Sequence, residues 1–150
     1  MKLTIEQAAD IPEVEITIRC ATLSQPLRNL IAQIQLYGFA LPARREGRSY
    51  SLAFETIYYF ESVDEVTFAY CEKEVYECAL RLYELEERLG PANFIRISKN
   101  CIVNLAFLGS VRPLLGGRME ALLANGEKLL ISRHYLPAFK EKFGLKGAFE

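Results

Sequence analysis

Ser98-Lys99-Asn100 and Ser132-Arg133-His134 are the two places where short polar side chains and a cation stand together after an apolar run. Phe94-Ile95-Arg96-Ile97 precedes the first and Leu129-Leu130-Ile131 the second, so both clusters are expected at strand ends, where side chains are free to extend. Donors held there can reach phosphate oxygens and base edges in a DNA groove. They are not a nucleophile with its base. The single histidine, His134, has no carboxylate partner at a suggestive spacing and reads as a surface or capping residue. No serine sits in G-x-S-x-G. Leu115-Gly116-Gly117-Arg118 lacks the Lys-Ser/Thr ending and the following helix of a phosphate loop, and reads as a hairpin turn. The cysteines Cys20, Cys71, Cys78 and Cys101 form no C-x-x-C pair, and with one histidine they suggest no metal site. Cys20 and Cys101, in apolar surroundings, read as small core residues. Glu84, Glu86 and Glu87 read as the solvated face of a helix. Neither an enzyme nor a cofactor-binding protein is expected.

The charge is divided unevenly. Residues 1–90 hold nine Lys/Arg against fifteen Asp/Glu, net −6, whereas residues 91–150 hold nine Lys/Arg against four Glu, net +5. A basic segment inside a chain of net charge −1 suits a polyanion-binding face. It equally suits two halves that attract each other. Arg96, between two isoleucines of an alternating strand, points away from the core. It can touch phosphate or pair with an acidic helix residue. Arg133 lies at a strand-to-helix junction, where backbone N–H groups favour an anion. No apolar run approaches a membrane span, no signal peptide precedes the first strand, and the reduced-thiol pattern suggests the cytoplasm.

Alternation predicts a half-buried strand over Val14–Arg19. Ser24 and Pro26 then open a helix with Leu27, Leu30, Ile31 and Ile34 on one face, ended by Gly38. A hairpin, Phe39–Arg45 with Ser49–Phe54, turns at Glu46-Gly47. Strands follow over Thr56–Glu61, Val66–Cys71 and Val75–Ala79. A helix carrying Leu82, Leu85 and Leu89 stops at Gly90-Pro91. Further strands are expected at Phe94–Ile97, Val103–Val111, Arg118–Ala124 and Glu127–Ile131, with Asn125-Gly126 as a type I′ turn. A last helix turns Leu136, Phe139 and Phe143 inward and Lys140 and Lys142 outward, ending at Gly144. The expected class is α+β and β-dominated. A βαββ-like leader, residues 1–54, packs beside or runs continuously into a β-rich module, residues 55–146.

Several pieces occur together in order over roughly ninety residues: Ile57-Tyr58-Tyr59-Phe60-Glu61-Ser62, Leu82–Leu89, Phe94–Asn100, Val103-Asn104-Leu105, the Asn125-Gly126 hairpin and Ile131-Ser132-Arg133. In this the chain resembles the LytTR-type DNA-binding domain of bacterial transcriptional regulators. The resemblance implies an elongated set of antiparallel sheets with few short helices, whose loops enter successive major grooves. It implies a sequence-specific regulator that binds paired direct repeats in double-stranded promoter DNA as a homodimer, with no small-molecule substrate and no cofactor.

By position, the DNA contacts implied are the Asp64-Glu65 turn, Ser98-Lys99-Asn100 and Arg133. Beside them, His134 is counted as a candidate contact, and the charges of Arg96, Arg118 and Lys128 are expected to supply phosphate contacts. Many members carry His where this chain has Ser98 and Ser where it has Asn100. Glu65 suits phosphate poorly, although an acid can accept from a cytosine amino group. The alternative role for Asn104 is in the fold, bonding to backbone. The leader is too short for a receiver domain, which resembles the small stand-alone regulators restrained by a companion membrane protein. The competing reading is a protein-interaction or small-ligand sensor module. In it the acidic leader and its helix form a docking surface, and the basic half answers the leader internally.

Overall fold

Tyr59 and Phe60 are neighbours on one strand, point to opposite sides of it, and are both buried. A strand with two buried faces must lie inside a layered structure, and this one does. In the computed structural model, which describes residues 1–37, 40–90 and 92–144, seven strands form one antiparallel sheet. They are β1 (Ala40–Arg45), β2 (Arg48–Ala53), β3 (Tyr59–Val63), β4 (Val66–Tyr70), β5 (Val75–Cys78), β6 (Phe94–Ser98) and β7 (Cys101–Asn104). Their order is β2-β1-β5-β4-β3-β7-β6. A second sheet has three strands, β8 (Leu108–Pro113), β9 (Met119–Leu123) and β10 (Lys128–Ile131), in the order β10-β9-β8.

Three helices complete the fold: α1 (Gln25–Leu36), α2 (Leu82–Leu89) and α3 (Leu136–Phe143). On one face of the large sheet Phe60, Ile102, Phe94 and Leu41 pack against Leu82, Leu85 and Leu89 of α2. On the other, Tyr59, Val103 and Ile97 meet Met119, Ala121 and Ile131 of the small sheet and Phe139 of α3. Truncating a ring as enclosed as Phe60 or Phe139 would cost about 3–5 kcal/mol. All four residues of β7 are buried, because β7 lies under both layers.

The α2 stripe, the β3–β5 meander, β6, β9, β10 and the Gly144 cap (φ +89°) lie within a few residues of where the sequence puts them. Other expectations fail for physical reasons. Val14–Arg19 forms no strand, since residues 1–24 are exposed throughout and meet no sheet edge. The leader therefore lacks its first β element, and Cys20 is exposed rather than a core residue. The single strand expected over Val103–Val111 is two. Asn104 accepts from the Ala106 N–H (3.0 Å) and donates to the Ile57 carbonyl (2.9 Å), which forces a 3-10 turn at Leu105–Phe107 and sends β8 into the other sheet. Asn125 is not at positive φ, so the Asn125-Gly126 loop is no type I′ turn. The Gly126 N–H instead donates to the Leu123 carbonyl and only Gly126 is left-handed, as in a type I turn followed by a bulge. The two-residue turns with both φ positive are Asp64-Glu65 and Glu46-Gly47.

The hairpin β1–β2 is continuous with the module: β1 pairs with β5, and the large sheet crosses residue 54 without a break. The expected α1 stop at Gly38, Phe39 and Pro91 lie outside the described residues. Among the described residues no helix is long and apolar enough to cross a membrane.

Candidate nucleic-acid interface

The β6–β7 turn is built by one arginine. Arg96 does point away from the core, but its guanidinium is committed on all three nitrogens. Nη1 donates to Glu86 Oε2 of α2 (2.7 Å), Nε to the Ser98 carbonyl (3.2 Å) and Nη2 to the Lys99 carbonyl (2.5 Å). The ion pair is mostly sheltered on the Arg96 side, whose side chain is 20% exposed. A planar fork that binds two carbonyls of a turn and a carboxylate of a neighbouring helix fixes the turn's orientation. The Ser98 hydroxyl accepts from the Asn100 N–H (3.3 Å), and the Asn100 carbonyl accepts from the Ser62 N–H of β3 (2.9 Å). Lys99 and Asn100 are left exposed on a backbone tied at both ends.

A bulge couples this turn to the second cluster. Arg96 pairs with Ile102 and Ser98 with Cys101, so Ile97 is the extra residue. Bulges bend a strand and re-aim its groups. Here the Ile97 side chain is buried in the second core, and its carbonyl accepts from the Ser132 N–H at the end of β10 (2.9 Å). That bond sets the Ser132–Tyr135 junction beside the end of β6. Arg133 and His134 are exposed there. The Arg133 stem lies across Gly117, the tip of the β8–β9 hairpin. A Cβ added at Gly117 would fall 3.0 Å from Arg133 Cδ, and Gly117 is itself at φ +74°. Neither Lys99 nor Arg133 makes a side-chain hydrogen bond or ion pair among the described residues.

The pairing β4-β3-β7-β6 sets the Asp64-Glu65 turn at the same end of the sheet as the β6–β7 turn. One end therefore gathers Glu65, Ser98, Lys99, Asn100, Arg133 and His134, with Arg118 in the adjoining β8–β9 loop. The Arg118 Nε donates to the Leu115 carbonyl (3.5 Å). Lys128 does not join them. It starts β10 at the opposite end from Arg133, beyond the Asn125-Gly126 turn.

Sequence reasoning missed three contributors. Glu86, expected only as a solvated helix residue, is the acidic partner of Arg96. Gly117 cradles Arg133. Lys142 turns inward instead of outward and donates to the Gly90 (2.5 Å) and Phe94 (2.6 Å) carbonyls, pinning α3 to the start of β6. Burial draws its pKa down to about 8. Asn104 bonds to backbone, deep in the fold.

The sequence model of the LytTr DNA-binding domain matches residues 47–144, about two thirds of the chain. The chain belongs to that family. It is similar to the sensory transduction protein LytT of Enterococcus faecalis, with 30% identity over 106 residues, 71% of this chain and 44% of that protein. It is also similar to the transcriptional regulatory protein LytR of Staphylococcus aureus, 27% identical over 106 residues, 71% of this chain and 43% of that one. The chain thus spans less than half the length of these two regulators. The fold is similar to that of the LytTr DNA-binding domain of a putative methyl-accepting/DNA response regulator from Bacillus cereus. That match has a TM-score of 0.65 at 22% identity and covers 70% of this chain and 96% of that domain.

Proposed function

We propose that this LytTr-family protein is a transcriptional regulator, not an enzyme, and that it binds double-stranded promoter DNA through the end of the sheet where Lys99 and Arg133 project. The observation that carries this reading is the clamp. Arg96 is spent on holding the Ser98–Asn100 turn, while Lys99 and Arg133 beside it are unpaired among the described residues and stand on a backbone tied by hydrogen bonds. Such preorganisation suits direct readout, in which an Arg or Lys meets guanine O6 and N7. Asn100, Ser98, His134 and Arg118 are suited to phosphates around it. Glu65, on a turn at the same end, would accept from a cytosine amino group. Arg96 acts as a positioning residue rather than a phosphate ligand, and Lys128 as a peripheral phosphate contact.

Two protomers on paired direct repeats, and restraint by a companion membrane protein, belong to this proposal on the strength of the family resemblance alone. A ligand-sensing role has one observation in its favour. A cavity of about 670 Å³ lies between α1, α2, β6 and α3, lined in part by Arg96, Glu86 and Lys142, so an occupant would touch the clamp itself.

Gel retardation tests the proposal. The protein should retard DNA from upstream of its own gene at concentrations that leave unrelated DNA free, and the affinity should fall steeply with salt. Equal affinity for both DNAs, or none for either, would remove it.

A further inference from the structure

The leader holds a strand pattern with no strand partner. Val14, Ile16 and Ile18 alternate with Glu15, Thr17 and Arg19, yet Val14 is 89% and Ile16 62% exposed. The helix that follows is only partly covered. Ser24 caps α1 by accepting from the Leu27 N–H. Ala32 is buried and Leu36 packs on the core, but Leu27, Ile31 and Ile34 are only half-buried and Leu30 is exposed. An amphipathic strand with no cover and an adjacent amphipathic helix with only partial cover are an incomplete layered unit. The family match begins at residue 47, so this unit lies outside the matched domain.

The strand's own charges name the missing half. If two copies pair antiparallel about a two-fold axis at Thr17, Glu15 of each faces Arg19 of the other. On the opposite side of the ribbon, Ile16 faces Ile18. Opposite charges directly across an antiparallel pair are favourable, and a two-fold makes each such contact twice. An axis at Ile18 loses the Glu15–Arg19 match and an axis at Ile16 replaces it with Glu13 facing Arg19, so the Glu15 charge exchange and the position-17 crosslink distinguish the registers. A two-stranded ribbon alone is marginal in water, and the α1 stripes of the two copies supply a layer for its apolar face.

We infer that residues 14–36 form a dimerisation arm, in which the Val14–Arg19 strand pairs with the same strand of a second copy about Thr17 and the two α1 helices cover the ribbon. The inference deepens the two-protomer reading above. It concerns the protein free of DNA, so the two can fail separately. The arm strand is joined to the rest of the chain only through residues 20–23 and α1, so its two-fold need not extend to the DNA-binding ends, which would face tandem repeats.

The test is a light-scattering mass of the full chain without DNA, together with register-specific crosslinking. The wild type should weigh twice 17.1 kDa at micromolar concentration. Ile16→Asp should weaken self-association by more than about tenfold, because it buries a charge, while the melting temperature of the two-sheet module stays unchanged because the site is outside both sheets. Glu15→Arg should weaken association, and Glu15→Arg with Arg19→Glu should restore it. In a Cys20→Ser background, Thr17→Cys should oxidise readily to a disulfide-linked dimer, and Glu15→Cys should not. A monomeric wild type, or a dimer that neither Ile16→Asp nor the charge exchange disturbs, overturns the arm. Dimerisation with equal crosslinking at positions 15 and 17 overturns its register. A monomer that still retards its promoter would leave the DNA reading intact.

Discussion

The β6–β7 turn and the β9–β10 turn each present a lysine, Lys99 in one and Lys128 just after the other, and the two are not equivalent. The first is tied by Arg96 to α2 and by the Ile97 bulge to the β10–α3 junction, which brings Arg133 beside it. The second is tied by its own Asn125. That side chain accepts from the Glu127 N–H (3.1 Å) and donates to the Glu72 carbonyl (3.5 Å), so the turn leans on the β4–β5 loop. One lysine thus stands among cations and polar donors, the other beside acidic turns. What distinguishes them is topology, since residue type and local spacing are alike. A basic residue becomes a candidate reader only where the fold has already satisfied everything around it.

Substitutions can break that contrast. Arg133→Ala should cause the largest loss, about 1–3 kcal/mol of specific binding with blunted sequence preference, and Lys99→Ala a loss of the same kind. Fluorescence anisotropy on matched and mutated sites measures both. Arg96→Met should weaken specific binding by about 1 kcal/mol with little change in the salt slope, since it frees the turn without removing a phosphate contact. The same variant leaves the Glu86 carboxylate exposed enough to hydrate, so thermal stability should fall only slightly. Lys128→Ala should weaken binding to all sequences alike and reduce the salt slope by about one. If Lys128→Ala proved as damaging and as sequence-dependent as Lys99→Ala, the contrast between the two turns would be lost.

The smallest effect concerns pH. Lys142 is drawn down to about 8 by burial. Below that pH both native and unfolded chains carry the proton, and the native state bears the full cost of burying it. As pH rises through 8 the native chain releases the proton first and stability increases. The Cys101 thiol, pushed up to about 12 by burial, works in the opposite sense. Its unfolded form ionises first, from about 9, and stability then declines. Melting temperature should therefore rise modestly between about pH 8 and 9, and Lys142→Met should flatten that rise.

The scaffold was legible where one period ran unbroken. Leu82, Leu85 and Leu89 mark α2, and the alternation around Phe60 and Ala69 marks β3 and β4. Legibility failed wherever a distant partner decides the outcome. Val14–Arg19 carries a strand's pattern but finds no sheet edge among the described residues. Asn104 lies in an apolar run, and only the Ile57 carbonyl, 47 residues away in sequence, makes it a break between strands. Lys142 looks like any outward lysine on a helix until the Gly90 and Phe94 carbonyls come within reach. The two candidate clusters could be found from residue type alone. Their meeting could not, because it depends on a bulge at Ile97 that no local signal announces.

The central claim is that Lys99 and Arg133 read sequence from one rigid end of the sheet. Footprinting on the DNA upstream of the protein's own gene, with wild type and Arg133→Ala compared at the same salt, tests it most directly. The account predicts a discrete protected region for the wild type, and for Arg133→Ala the loss of that boundary while weak, uniform binding persists. The same footprint with both proteins would contradict it.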